Sequence, residues 1–234
     1  MQSKTGPVTT TPNRPLAWWH PRRRFSRTEI VADGIVHGVG LAIAIAAGSV
    51  LLTIAALQTA REELPALITY VVTLVAVLTV SLAYNLAPLT QARQVLARLD
   101  QATIFLFIAG TYTPFLAVLG GTPMGVIMTS LVWGTAVVGM ALKLIVPHKF
   151  GRLAIVLYLG IGWSGVAMFK DMAAALPPST LWLLLAGGIT YSAGIIFHLW
   201  DRLRFQNVLW HVFVVLGALI HLWAVIDWIV INRL

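Results

Sequence analysis

The chain is 234 residues long, with 59% hydrophobic and only 10% charged residues and a mean hydropathy of +0.86. A soluble domain carries roughly a quarter charged residues, so this composition cannot cover a water-facing surface and excludes a soluble enzyme. Cysteine is absent and the net charge is +8; the first removes disulfides and thiolate metal sites, and the second has to be read from where the basic groups fall.

Charge-free runs lie at 34–60, 64–92, 101–142, 153–169, 172–200 and 205–226, each reaching or approaching the ~20 residues with which a helix crosses a bilayer. The longest must cross twice, breaking at Gly120, Gly121 and Pro123. None alternates in polarity as barrel strands do. The expectation is an all-α membrane protein, a seven-transmembrane helix bundle over 31–234, behind a basic, proline-rich tail at 1–30. The tail has no apolar core followed by a cleavage site, so it does not read as a secretory signal; Trp18 and Trp19 are placed at the headgroup layer.

In chain order the predicted helices are α1 at 33–57, α2 at 65–86, α3 at 100–119, α4 at 124–146, α5 at 153–175, α6 at 180–200 and α7 at 207–230. Pro114, inside α3, is expected to kink it and free the carbonyl of Gly110, with Thr111 or Thr113 to satisfy it. Helix α5 reaches full length only if Lys170 snorkels outward, and its Gly160, Gly162 and Gly165 read as small packing residues. Trp163, Trp182 and Trp228 read as belt aromatics.

The tail and the even-numbered connections hold Lys4, Arg14, Arg22, Arg23, Arg24, Arg27, Arg93, Arg98, Lys143, Lys149, Arg152, Arg202 and Arg204, whereas the opposite side holds Arg61, Lys170 and Arg233. This asymmetry places the N-terminus in the cytoplasm and the C-terminus outside, in a plasma (inner) membrane. The basic groups then face anionic lipid, so membrane lipids are the expected partners and nucleic acid is not; self-association into a homo-oligomer stays open.

A polar group at membrane depth is costly unless it faces protein or water. Asp33 and His37 stand i, i+4 near the start of α1, Ser81 and Asn85 i, i+4 near the end of α2, Asp100 at the head of α3, and Asn207 and His211 i, i+4 at the start of α7. The spacing puts each pair on one helix face, and the topology puts all four groups at the cytoplasmic ends of their helices. A shared polar chamber is the expectation; the alternative is that each group caps its own helix, Asp100 and Asn207 being good N-cap residues. His20 and His148 fall in tail or loop, and His198 at an interface. His221 lies about 15 Å beyond His211 at 1.5 Å per residue, which reads as a hydrogen-bonded interior histidine.

Ser81-Leu-Ala-Tyr-Asn85, Arg98-Leu-Asp100, Ile108-Ala-Gly-Thr-Tyr-Thr-Pro-Phe115 and Trp210-His211-Val-Phe-Val resemble the hemolysin III family, which belongs with the adiponectin and progestin receptors and resembles alkaline ceramidases. The resemblance covers about residues 30 to 231. It implies a zinc ion at the cytoplasmic end, held through Ser-x-x-x-His in α2, an Asp at the head of α3 and His-x-x-x-His in α7. Ser81, Asp100 and His211 match that pattern, while Asn85 and Asn207 stand at two of its histidine positions.

Two functional classes follow. One is a non-enzymatic membrane protein whose chamber senses, conducts or maintains the membrane, with a degenerate metal site of His211, Asp100, Asn85 and Asn207 and a second tier of Asp33 and His37. The alternative, implied by the resemblance, is a metal-dependent hydrolase of lipid amides, with Asp100 holding or deprotonating a metal-bound water and Ser81 stabilising the oxyanion. A retinal Schiff base would need a lysine in α7, and residues 207–231 contain none.

Overall fold

The computed structural model describes residues 25–59, 61–88, 90–146 and 151–232. Residues 1–24 of the basic tail, with Trp18, Trp19 and His20, and the loop residue His148 lie outside them.

Among the described residues, seven helices are long and apolar enough to cross a membrane. Helix α1 runs over Arg27–Ile54 and continues into a π turn, Ala55–Thr59; α2 covers Leu64–Leu86, α3 Gln91–Val118 and α4 Pro123–Ile145. The fifth span, α5, is α-helical over Gly151–Trp163, passes through a 3-10 segment at Ser164–Met168 and resumes over Phe169–Ala175. Helix α6 is Pro178–Leu199, and α7 is Gln206–Ile226 followed by a π turn at Asp227–Ile231.

Two helices start well before the expected residue. A capping box sets the start of α1: Ser26 Oγ accepts from the Glu29 amide at 3.3 Å while Glu29 Oε2 accepts from the Ser26 amide at 2.9 Å. Asp33 and His37 therefore each sit six residues, between one and two turns, further into the helix than expected. Helix α3 starts at Gln91, so Asp100 is neither its first residue nor its cap; Gln91–Leu99 contains no helix breaker, and Arg93 and Arg98 mark where the helix leaves the apolar layer without ending it.

Successive helices are neighbours, α1 also packs on α7, and α3 touches α5, which closes the spans into a ring. Val31, Ile35, Val39 and Ile43 form an exposed stripe on α1, whereas Asp33, His37, Gly40, Ala44, Gly48 and Leu51 are buried. The outward stripe is a lipid-facing surface, and close approach between helices comes from small residues. A Cβ on Gly40 would lie 2.7 Å from a Val215 methyl, and one on Gly139 would lie 2.5 Å from the Phe105 ring.

Gly160 and Gly162, by contrast, face open space, with nothing within 4 Å of an added Cβ. Helix α3 continues through Pro114, and the neighbouring hydroxyls bond elsewhere than Gly110: Thr111 to the Phe107 carbonyl at 2.8 Å and Thr113 to the Ala109 carbonyl at 2.7 Å. Trp228 is no belt residue; it is buried against Phe115, with ring centroids 5.8 Å apart. Trp182 is exposed as expected, and Trp163 donates to Ser192 Oγ at 3.0 Å.

Candidate metal centre

The end of the ring at which α1, α3, α5 and α7 begin gathers every polar pair read from the sequence. Asp33, His37, Ser81 and His211 are all buried there. His211 Nδ1 lies 2.6 Å from Asp33 Oδ1. Asn207 Nδ2 is 3.4 Å from Asp33 Oδ2, 3.4 Å from Asn85 Oδ1 and 3.3 Å from His211 Nδ1.

Donor counting assigns the protons. His37 Nδ1 is 3.0 Å from the Asp33 carbonyl, which only accepts, so Nδ1 carries the hydrogen. In the neutral ring Nε2 is then an acceptor, and the Ser81 hydroxyl donates to it at 3.0 Å. Asn207 has two N–H groups, which Asp33 Oδ2 and Asn85 Oδ1 absorb; His211 Nδ1 is thereby left to donate to Asp33 Oδ1, the shortest contact in the chamber. His211 thus presents an Nε2 lone pair, and the Nε2 lone pair of His37 takes the Ser81 proton. Asn85 holds itself in place by donating to the Ser81 carbonyl at 2.9 Å.

Asp100, half-buried on α3, adjoins the Ser81 hydroxyl and lies within electrostatic reach of His211 and Asp33. Ser81 therefore offers one proton to two acceptors, His37 Nε2 and the Asp100 carboxylate. The centre of gravity differs from the sequence expectation. Asp33 and His37, ranked second there, stand at the middle: one ligand atom from each of Asp33, His37 and His211 lies within 4.8 Å of the others. Asn85 and Asn207 are in the chamber as expected, but as hydrogen-bonding amides that orient the acid and the histidine.

Glu29 carries a contact that sequence reasoning missed. It is buried, and its Oε1 accepts from the Phe205 amide at 2.9 Å. Phe205 precedes α7 with φ 59°, a left-handed conformation that a bulky side chain seldom adopts. The acid of α1 thus fixes the turn that sets the register of Asn207 and His211. The capping box was the available signal, since Ser26 and Glu29 stand three apart.

A seven-span bundle whose helices converge on buried Asp and His side chains at one membrane face defines a multi-pass membrane protein with a candidate metal-binding group. The family model described as Haemolysin-III related matches residues 25–222, and the chain belongs to that family. It is 30% identical to "Hemolysin-3" of Bacillus cereus over 201 residues, 86% of this chain and 92% of the relative. It is 31% identical to "Hemolysin-3 homolog" of Bacillus subtilis (strain 168) over 195 residues, 83% of this chain and 91% of that one. "Monocyte to macrophage differentiation factor" of Homo sapiens is 28% identical over 127 residues, 54% of this chain and 52% of the human protein.

Proposed function

We propose that this protein is a membrane-homeostatic sensor that binds a divalent transition metal, zinc by preference, in the chamber at the cytoplasmic face of the inner membrane. The observation that carries this reading is the meeting of Asp33, His37 and His211 donor atoms within 4.8 Å, all three residues being buried. Two imidazoles and one carboxylate are a zinc-type donor set that leaves a position open. Asn85 and Asn207 offer only amide oxygens, which suit hard cations, so they hold hydrogen bonds around the centre and do not serve as ligands.

Asp33, His37 and His211 would hold the ion. A zinc ion in such a set lowers the pKa of a water it holds and polarises a carbonyl. Ser81 sets whether His37 can ligate. With its proton turned to Asp100 the Nε2 lone pair of His37 is free, and with its proton on His37 that lone pair is occupied. Asn207 keeps the Asp33 carboxylate aimed at His211 through its bond to Oδ2.

The test is metal content after purification of the full chain without added zinc. About one zinc per chain is expected in the wild type, with less than a tenth of that in His37→Ala and His211→Ala. A wild type that purifies metal-free and takes up no zinc on titration overturns the reading.

A second reading, hydrolysis of a lipid amide, is favoured by one feature: Asp100 and Ser81 adjoin the donor set, where an acid and a hydroxyl would serve water activation and oxyanion stabilisation. Release of fatty acid from an N-acyl sphingoid lipid by the zinc-loaded protein, lost in Asp100→Asn, would establish it. Full zinc occupancy with no release leaves the sensor.

A further inference from the structure

Away from the chamber, two phenol hydroxyls among the described residues are buried with no neighbour to satisfy them. Tyr70 on α2 is 0% exposed, and its hydroxyl has no hydrogen-bond partner; the buried hydroxyl of Tyr191 on α6 has none either. The two phenols lie within electrostatic reach of one another. The Tyr191 ring lies against the His221 ring of α7 with centroids 5.4 Å apart.

His221 is locked in one tautomer. Its Nδ1 is 2.8 Å from the Gly217 carbonyl, which can only accept, so Nδ1 donates and Nε2 is left as an acceptor. The backbone is shaped for both rings. A Cβ on Gly187 would lie 2.3 Å from the His221 ring, and one on Gly217 would lie 2.8 Å from the Tyr191 ring. Each helix of the α6–α7 pair thus carries a glycine recess that admits the other's ring, which fixes where the phenol and the imidazole point.

We infer that Tyr70, Tyr191 and His221 form a second polar site, about 15 Å along α7 from His211, that binds water within the membrane span. The chemistry selects the ligand. Two hydroxyls that both donate and accept, with one neutral imidazole that accepts, match a molecule that also does both. Buried waters make about three hydrogen bonds, and three groups await them here. An anion would find no cationic side chain among these groups, and a metal ion would find a single imidazole. At this depth the alternative is two buried hydroxyls left unpaired in a layer where bulk water cannot reach them.

Isosteric substitutions give opposite signs for a wet and a dry site. Thermal midpoints are measured on the full chain in detergent for wild type, Tyr70→Phe, Tyr191→Phe and the double variant. Loss of a hydroxyl that binds water lowers the midpoint, by about 2–4 °C for one net hydrogen bond in a chain of this size. The double variant then falls by less than the two singles together, because both hydroxyls serve the same water. A rise in either single variant means the hydroxyl was dry, and strict additivity means the two share nothing; either result overturns the site. Phe keeps the ring on Phe107 and on His221, so the fold is retained in every arm.

Discussion

Asp33 does the most of any residue in the chamber: one carboxylate oxygen takes the His211 proton at 2.6 Å, the other takes Asn207, and its backbone carbonyl fixes the His37 tautomer. Asn207 and Asn85 sit one contact away, at positions where the family pattern has histidine. Changing Asn85→His and Asn207→His together adds imidazoles beside a set that already has two, since Asn207 Nδ2 is 3.3 Å from His211 Nδ1 and 3.4 Å from Asn85 Oδ1. Zinc affinity of the double variant, measured by competition with a chelator, is expected to exceed wild type by at least about tenfold, which is roughly 1.4 kcal/mol. Unchanged affinity in a folded double variant would show that these side chains point away from the ion. The i, i+4 pairs were all legible in the sequence. Their rank was not, because spacing fixes a shared face but not how the helix is rotated or where it starts. Once the Ser26 capping box moves the start of α1 outward, Asp33 and His37 become interior residues.

At the scale of elements, charge was a good guide to where a helix meets water and a poor one to where it ends. Helix α3 runs nine residues before Asp100 because arginines leave the bilayer without breaking hydrogen bonds. The interruption of α5 left no proline or charge to mark it. It is a 3-10 segment whose irregular backbone is served from α3: the Tyr112 hydroxyl accepts from the Gly165 amide at 2.9 Å and donates to the Gly162 carbonyl at 2.7 Å. Tyr112 belongs to the Gly-Thr-Tyr-Thr-Pro-Phe motif, so its role is to hold a broken helix in a layer that does not tolerate unpaired backbone. Tyr112→Phe is expected to cost about 1–3 kcal/mol, the range for a buried group left unsatisfied. Amides of Ser164–Met168 should also exchange faster with deuterium, while those of α2 stay as protected as in wild type. Equal exchange across α5 in the two proteins would mean that the hydroxyl does not brace the break.

For the whole molecule, the seven spans were legible because hydropathy over ~20 residues is a strong signal; the closure of the ring was not, since α1 meets α7 through contacts such as Gly40 on Val215 and Glu29 on Phe205. That closure puts the first and last helices at one site, which ties the chamber's sidedness to the topology of the entire chain. Arg27, Arg93, Arg98, Lys143, Arg202 and Arg204 all lie on the chamber side of the bundle, against Arg61 and Lys170 on the other. Each of these basic residues would resist translocation independently, so the bias acts on every hairpin and not only on the first helix. Reporter fusions after Arg27, at Lys149 and at Arg202 are therefore expected to read cytoplasmic, and fusions after Pro177 and Leu234 external. A cytoplasmic reading after Leu234 would require an even number of crossings. Helices α1 and α7 would then enter the membrane from opposite faces, and Asp33 and His211 could not meet at 2.6 Å. The fusion after Leu234 thus tests the chamber and the orientation together, and the one at Arg202, just before α7, says which of the two has failed.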